Sequence, residues 1–95
     1  FEVRRTDAFV DWLIQLRDTQ GRARIARRLD RLAEGNFGDA KLVGDGVSEL
    51  RFTFGPGYRV YYTLQGRTVV ILLCGGDKRT QRRDIERAVA MAKEV

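Results

Sequence analysis

Two neighbouring stretches of alternating residues gather a carboxylate, two guanidinium groups and a phenol on one side of a β-hairpin. Along residues 49–54, Glu49, Arg51 and Thr53 share one face, while Leu50, Phe52 and Phe54 share the other. Along residues 58–64, Arg59, Tyr61 and Thr63 oppose Tyr58, Val60, Tyr62 and Leu64. Opposed residues on paired strands lie about 5 Å apart and diagonal ones about 7–8 Å, so Glu49, Arg51, Arg59 and Tyr61 fall within reach of one phosphodiester. Lys78 and Arg79 sit in a polar loop after the next strand and border the same face. Guanidinium binds phosphate through two donors at once, which suits charge neutralisation at phosphorus. The plainer alternative is that Glu49 forms ordinary ion pairs with Arg51 or Arg59 on a solvated sheet face.

Composition narrows the chemistry. The chain has 95 residues, a length for one domain, with 43% hydrophobic and 33% charged residues. There is no histidine and one cysteine, Cys74, so Ser-His and Cys-His pairs, disulfides and zinc sites of Cys/His type are excluded within the chain. Cys74 closes an apolar run and reads as a small core residue. Acid–base work falls to Glu, Asp, Lys, Tyr or Arg. Lys and Arg total 18 against 13 acids, a formal charge of +5, and all but Lys41, Lys78 and Lys93 of these cations are arginines. A polyanion is the partner class this balance suggests. The longest apolar run, residues 69–74, is far below the roughly 20 residues of a membrane span, and the residues shown contain no secretory leader, so cytoplasmic residence is expected.

The elements that must position these residues follow from periodicity. Residues 1–5 alternate as a short strand. Thr6 can cap a helix over residues 7–18, whose Phe9, Trp12, Leu13 and Leu16 form an apolar stripe. Residues 19–21 break it. A second helix with Ile25, Ala26, Leu29, Leu32 and Ala33 ends at Gly35-Asn36, completing a hairpin. Its polar face carries Arg22, Arg24, Arg27, Arg28 and Arg31 around Asp30, a solvated face, a phosphate contact or a dock for an acidic segment. A loop surrounds a brief strand at residues 41–43. The two alternating strands follow, joined by Gly55-Pro56-Gly57, and then the strand of residues 69–74, apolar enough for burial on both sides. A last helix starts near Thr80 with Ile85, Ala88, Val89 and Ala92 inward. The expected fold over residues 1–95 is one compact α+β domain of order β-α-α-β-β-β-α, an antiparallel β-sheet packed by an N-terminal helical hairpin and a C-terminal helix, with the helices on one face.

The stretch Glu49-Leu50-Arg51-Phe52, then Gly55-Pro56-Gly57-Tyr58-Arg59-Val60-Tyr61-Tyr62, then the apolar strand into Gly75-Gly76-Asp77-Lys78 and Thr80-Gln81, resembles the RelE/ParE superfamily of bacterial toxins. The resemblance is nearest to the addiction-module killer, or HigB-like, branch, and covers nearly the whole chain. It implies the toxin of a type II toxin–antitoxin system, held inactive by a cognate antitoxin that often carries a helix-turn-helix DNA-binding domain. DNA would be reached only indirectly, through the antitoxin complex. RelE-like members of the superfamily cleave mRNA on the ribosome, and the resemblance implies that activity here, with no cofactor or metal. ParE-like members instead poison DNA gyrase by binding, and a basic RNA-binding module without toxicity is a third reading.

On this resemblance, Arg59 matches the phosphate-stabilising arginine and Arg51 the basic residue of the preceding strand. Lys78 or Arg79 matches the basic residue after the third strand. The reaction implied is attack of a ribose 2′-hydroxyl on the adjacent phosphate, leaving a 2′,3′-cyclic phosphate and a 5′-hydroxyl. Glu49 is the candidate base with Tyr61 second, Arg51 and Arg59 are the charge stabilisers, and Lys78 neutralises or protonates the leaving oxygen. Arg79, Lys41 and Arg82 are the accompanying RNA-binding candidates. Where many ribosome-dependent members carry a Tyr or His near the C-terminal end, this chain has Ile85 and then Ala, Met, Lys, Glu and Val. Arg59→Ala is expected to abolish toxicity without harming the fold, because an arginine on an open face contributes little to stability.

Overall fold

Thr6 turns the chain out of strand β1 (Glu2–Arg5) and into helix α1 (Asp7–Gln15). Its Oγ1 accepts the Phe9 amide at 3.1 Å and donates to the Leu73 carbonyl at 2.6 Å, so one side chain caps the helix and ties it to the sheet. The computed structural model describes residues 1–95. Helix α1 stops three residues earlier than its apolar spacing suggests, because Asp18 serves the next helix, α2 (Thr19–Ala33), accepting the Gly21 amide at 2.9 Å. Residues 19–21 are therefore the first turn of α2 rather than a break. Gly21 is there for space: a Cβ would stand 2.5 Å from Asp18 Oδ2 and 3.0 Å from the Tyr58 ring. Gly35 ends α2 at φ +98°, the left-handed cap the sequence suggests.

The remaining chain forms β2 (Ala40–Gly44), β3 (Val47–Arg51), β4 (Arg59–Gln65), β5 (Val69–Gly76), a helical turn at Lys78–Thr80 and helix α3 (Gln81–Ala92). The five strands lie in the order β1-β5-β4-β3-β2. Strands β2 to β5 are antiparallel, whereas β1 pairs with β5 in parallel. The expected α+β fold is the one observed, a mostly antiparallel sheet with one parallel edge, and the brief strand at residues 41–43 is the opposite edge.

Alternation divides the sheet as the sequence suggests. Leu50, Phe52, Tyr58, Val60, Tyr62, Val70 and Leu72 meet Phe9, Ile25, Leu29 and Leu32 of α1 and α2. A fully buried side chain of this size contributes about 1.5–3 kcal/mol. The other face is not open. There α3 lays Ala88, with Ile85, Val89 and Ala92, over Val47, Tyr61, Ile71, Leu73 and Cys74. Helices thus cover both faces. Strand β5 required this, since an apolar strand needs cover on each side, and only α3 remained to provide it.

Candidate functional site: a cationic cleft

The β3–β4 turn and the start of the Lys78–Thr80 turn enclose a cleft of about 400 Å³. Arg51, Arg59 and Lys78 supply its positive charge and Asp39 its carboxylate, with Gly57 and Phe52 among the other walls. Backbone geometry makes the cleft. Arg51 ends β3 and pairs directly with Arg59, the first residue of β4, so the two cations flank the turn. Gly55 and Gly57 hold φ of +59° and +77° within that turn. The Lys78 stem runs along Gly57, where a Cβ would come within 3.0 Å of Lys78 Cγ.

Arg59 forms the floor and is 6% exposed. Its Nη1 donates to the carbonyls of Phe52, Gly57 and Tyr58 at 3.3, 3.0 and 2.9 Å, which rigidifies the turn. Its Nε faces Glu49 Oε1 at 3.7 Å, an ion pair longer than a hydrogen bond, and has no hydrogen-bond partner. Glu49 is 1% exposed and accepts from Gln81 Nε2 at 2.8 Å. Tyr61 is fully buried and its hydroxyl has no partner. Burial, then the neighbouring Glu49 charge, pushes the Tyr61 pKa up, so its proton stays on at neutral pH.

These positions correct the expectation of an exposed Glu49–Arg51–Arg59–Tyr61 face. The period of two put Glu49, Arg59 and Tyr61 on a common face, but α3 covers it. Glu49 and Tyr61 do not line the cleft; Glu49 supports Arg59 from beneath. An arginine fixed by three carbonyls and a buried carboxylate is also no dispensable surface residue, so a structurally silent Arg59→Ala is not to be expected.

Arg51 is half-buried and held from the side. Its Nε and Nη2 donate to Asp39 Oδ1 at 3.1 and 2.8 Å. The hydrogen bond and the charge of the pair raise the Arg51 pKa and hold the Asp39 carboxyl below the ordinary aspartate value. Arg79 lies outside the cleft, with its guanidinium on Asp77, and shares a separate groove with Arg82 and Arg83 beside α3. Lys41 is exposed on the outer strand β2, opposite Glu49. The structure therefore brings together Arg51, Arg59 and Lys78, and leaves Arg79, Arg82 and Lys41 elsewhere on the surface.

Sequence reasoning missed Asp39 and Arg28. Arg28, read as one of a row that is solvated, contacts phosphate or docks an acidic segment, instead donates to the carbonyls of Arg51 and Asp39 at 2.9 and 2.8 Å and stacks 4.8 Å from the Phe52 ring centre. Burial draws its pKa below the ordinary arginine value. Arg24, Arg27 and Arg31 line a second groove on α2 that shares Asp39 and Phe52 with the cleft. No local signal marks Asp39, which sits in an irregular segment and meets Arg51 only through the β2–β3 pairing. No set of three or more His, Cys, Asp or Glu side chains is gathered as a metal site, and no helix is long and apolar enough to cross a membrane.

The architecture and its cationic cleft define a small α+β domain of RelE-like fold. A chain in the crystal structure of the intact E. coli RelBE toxin-antitoxin complex matches it with a TM-score of 0.64 at 18% identity, over 81% of this chain and 95% of that one. Residues 11–94 match the family described as Phage derived protein Gp49-like (DUF891), and the chain belongs to that family. An uncharacterized protein of Haemophilus influenzae is similar throughout, 48% identical over 94 residues, or 99% of this chain and 95% of that protein.

Proposed function

We propose that this protein is the toxin of a type II toxin–antitoxin pair, of the HigB-like branch, and acts as a metal-independent, ribosome-dependent mRNA endoribonuclease in the bacterial cytoplasm. The observation that carries the reading is the convergence of Arg51, Arg59 and Lys78 on one cleft that contains a single carboxylate. The RelE-like fold and the family membership support it. A phosphodiester in the cleft meets two guanidinium groups and an ammonium, a set suited to the extra negative charge of a pentacoordinate phosphorane. The 2′-oxygen bonds to phosphorus as the P–O5′ bond breaks, and the net proton transfer is from the 2′-oxygen to the 5′-oxygen. Lys78 neutralises the departing oxygen. Glu49 and Tyr61 act structurally in this reading, holding Arg59 and filling the space beneath α3. The partner is an antitoxin whose acidic segment covers the cationic surface, with DNA contacted only through its helix-turn-helix domain.

The test is primer-extension mapping of a reporter mRNA after brief induction, with an Arg51→Ala/Lys78→Ala control. Lys78 is exposed and Arg51 half-buried with only the partly solvated Asp39 on its side chain, and circular dichroism of the control checks that the fold is kept. New 5′ ends that require translation and vanish in the control are expected; growth arrest with intact mRNA would refute the nuclease reading and point to gyrase.

A further inference from the structure

We infer that Asp39 occupies the phosphate-binding fork of Arg51 as a displaceable anion, and so sets how strongly the cleft holds a phosphodiester. The inference rests on the reading of the cleft as a phosphate site. The Nε and Nη2 atoms that grip Asp39 Oδ1 at 3.1 and 2.8 Å form the edge by which a guanidinium binds phosphate bidentately. In this structure Asp39 takes that edge.

The contact is built to yield. The Arg51 and Asp39 side chains are 39% and 46% exposed, so water screens their attraction. Both donors to the carboxylate come from Arg51. The backbone is held separately: the Asp39 carbonyl accepts Arg28 Nη2 at 2.8 Å and the Arg51 amide at 3.0 Å. The side chain can therefore swing away while its main chain stays fixed. A phosphodiester that also meets Arg59 and Lys78 brings interactions Asp39 cannot match, whereas an anion that reaches Arg51 alone competes with a tethered carboxylate at high local concentration. Asp39 acts through Arg51 as an affinity-determining residue and takes no proton in this scheme.

The experiment is an NMR titration of the full chain with a 2′-O-methylated trinucleotide, which cannot be cleaved because its 2′-oxygens carry no proton, following the backbone amide signals of Thr53 and Gly57 in the cleft wall, which every variant retains. Asp39→Asn should bind about 3- to 10-fold more tightly, the size expected for removing one negative charge beside a partly solvated anion site. Asp39→Ser serves as a second variant. In an Arg51→Ala background, Asp39→Asn should change the affinity by less than about twofold, because the gain passes through Arg51. Unchanged or weaker binding by both folded Asp39 variants overturns the inference alone, provided Arg51→Ala and Lys78→Ala weaken binding. If those two variants leave binding unaltered, or the trinucleotide does not bind, the cleft is not a phosphate site and the functional reading falls with it.

Discussion

Separating the Glu49–Arg59 pair should destabilise the fold far more than removing both charges together. The side chains are 1% and 7% exposed, so either one left alone is a charge held away from water. Breaking a buried ion pair from one side costs about 3–5 kcal/mol. Arg59 keeps three carbonyl acceptors when Glu49 is lost, which places Glu49→Met near the lower end, about 3 kcal/mol. At about 4–8 °C per kcal/mol for a domain of this size, the midpoint should fall by roughly 12 °C or more. Arg59→Met leaves Glu49 with one donor, Gln81 Nε2, and should cost a similar amount. Glu49→Met/Arg59→Met removes both charges and fills the space, so the two single costs should exceed the double by about 2 kcal/mol or more. Urea denaturation followed by circular dichroism at neutral pH measures all four corners of the cycle. Single costs that add within about 0.5 kcal/mol would refute the coupling. An assay of the proposed toxicity on Arg59 variants is interpretable only beside this measurement.

Gly75→Ala should destabilise the domain by about 1–3 kcal/mol, because the added Cβ would lie 2.3 Å from Trp12 Cε3. Trp12 is the single tryptophan, so its emission should shift as the ring is displaced, and an unchanged spectrum with an unchanged melt would contradict the packing described. Asp18 should contribute to acid sensitivity. The Gly21 amide first, then the Tyr58 hydroxyl, lower its pKa in the folded state. Its stabilisation is therefore complete above the unfolded value of about 3.9 and is lost as pH falls through the folded value. Asp18→Asn still caps α2 but does not titrate, so thermal melts should show the stability gap between the parent and this variant narrowing as pH drops from about 5 to about 2. A constant gap would remove Asp18 from the acid response.

Local signals in the sequence determined a large part of this protein. Thr6, Gly35 and the Gly55-Pro56-Gly57 turn mark element ends through capping and backbone conformation, which involve few residues close in the chain. The apolar stripes identify the core, and the period of two assigns Glu49, Arg51, Arg59 and Tyr61 to a common sheet face. The likeness to the RelE fold was legible in the same segment. What periodicity leaves open is the cover over a face, because it says which residues point together and nothing of what packs on them. Only the tertiary structure decided that α3 crosses that face, which buries Glu49 against Arg59 and Tyr61 beneath the helix, away from the cleft. The two-sided apolarity of β5 was the available signal for that second layer. Asp39 and Arg28 were invisible for another reason: each acts on Arg51 from 12 and 23 residues away, across contacts that exist only once the strands have paired and α2 has docked.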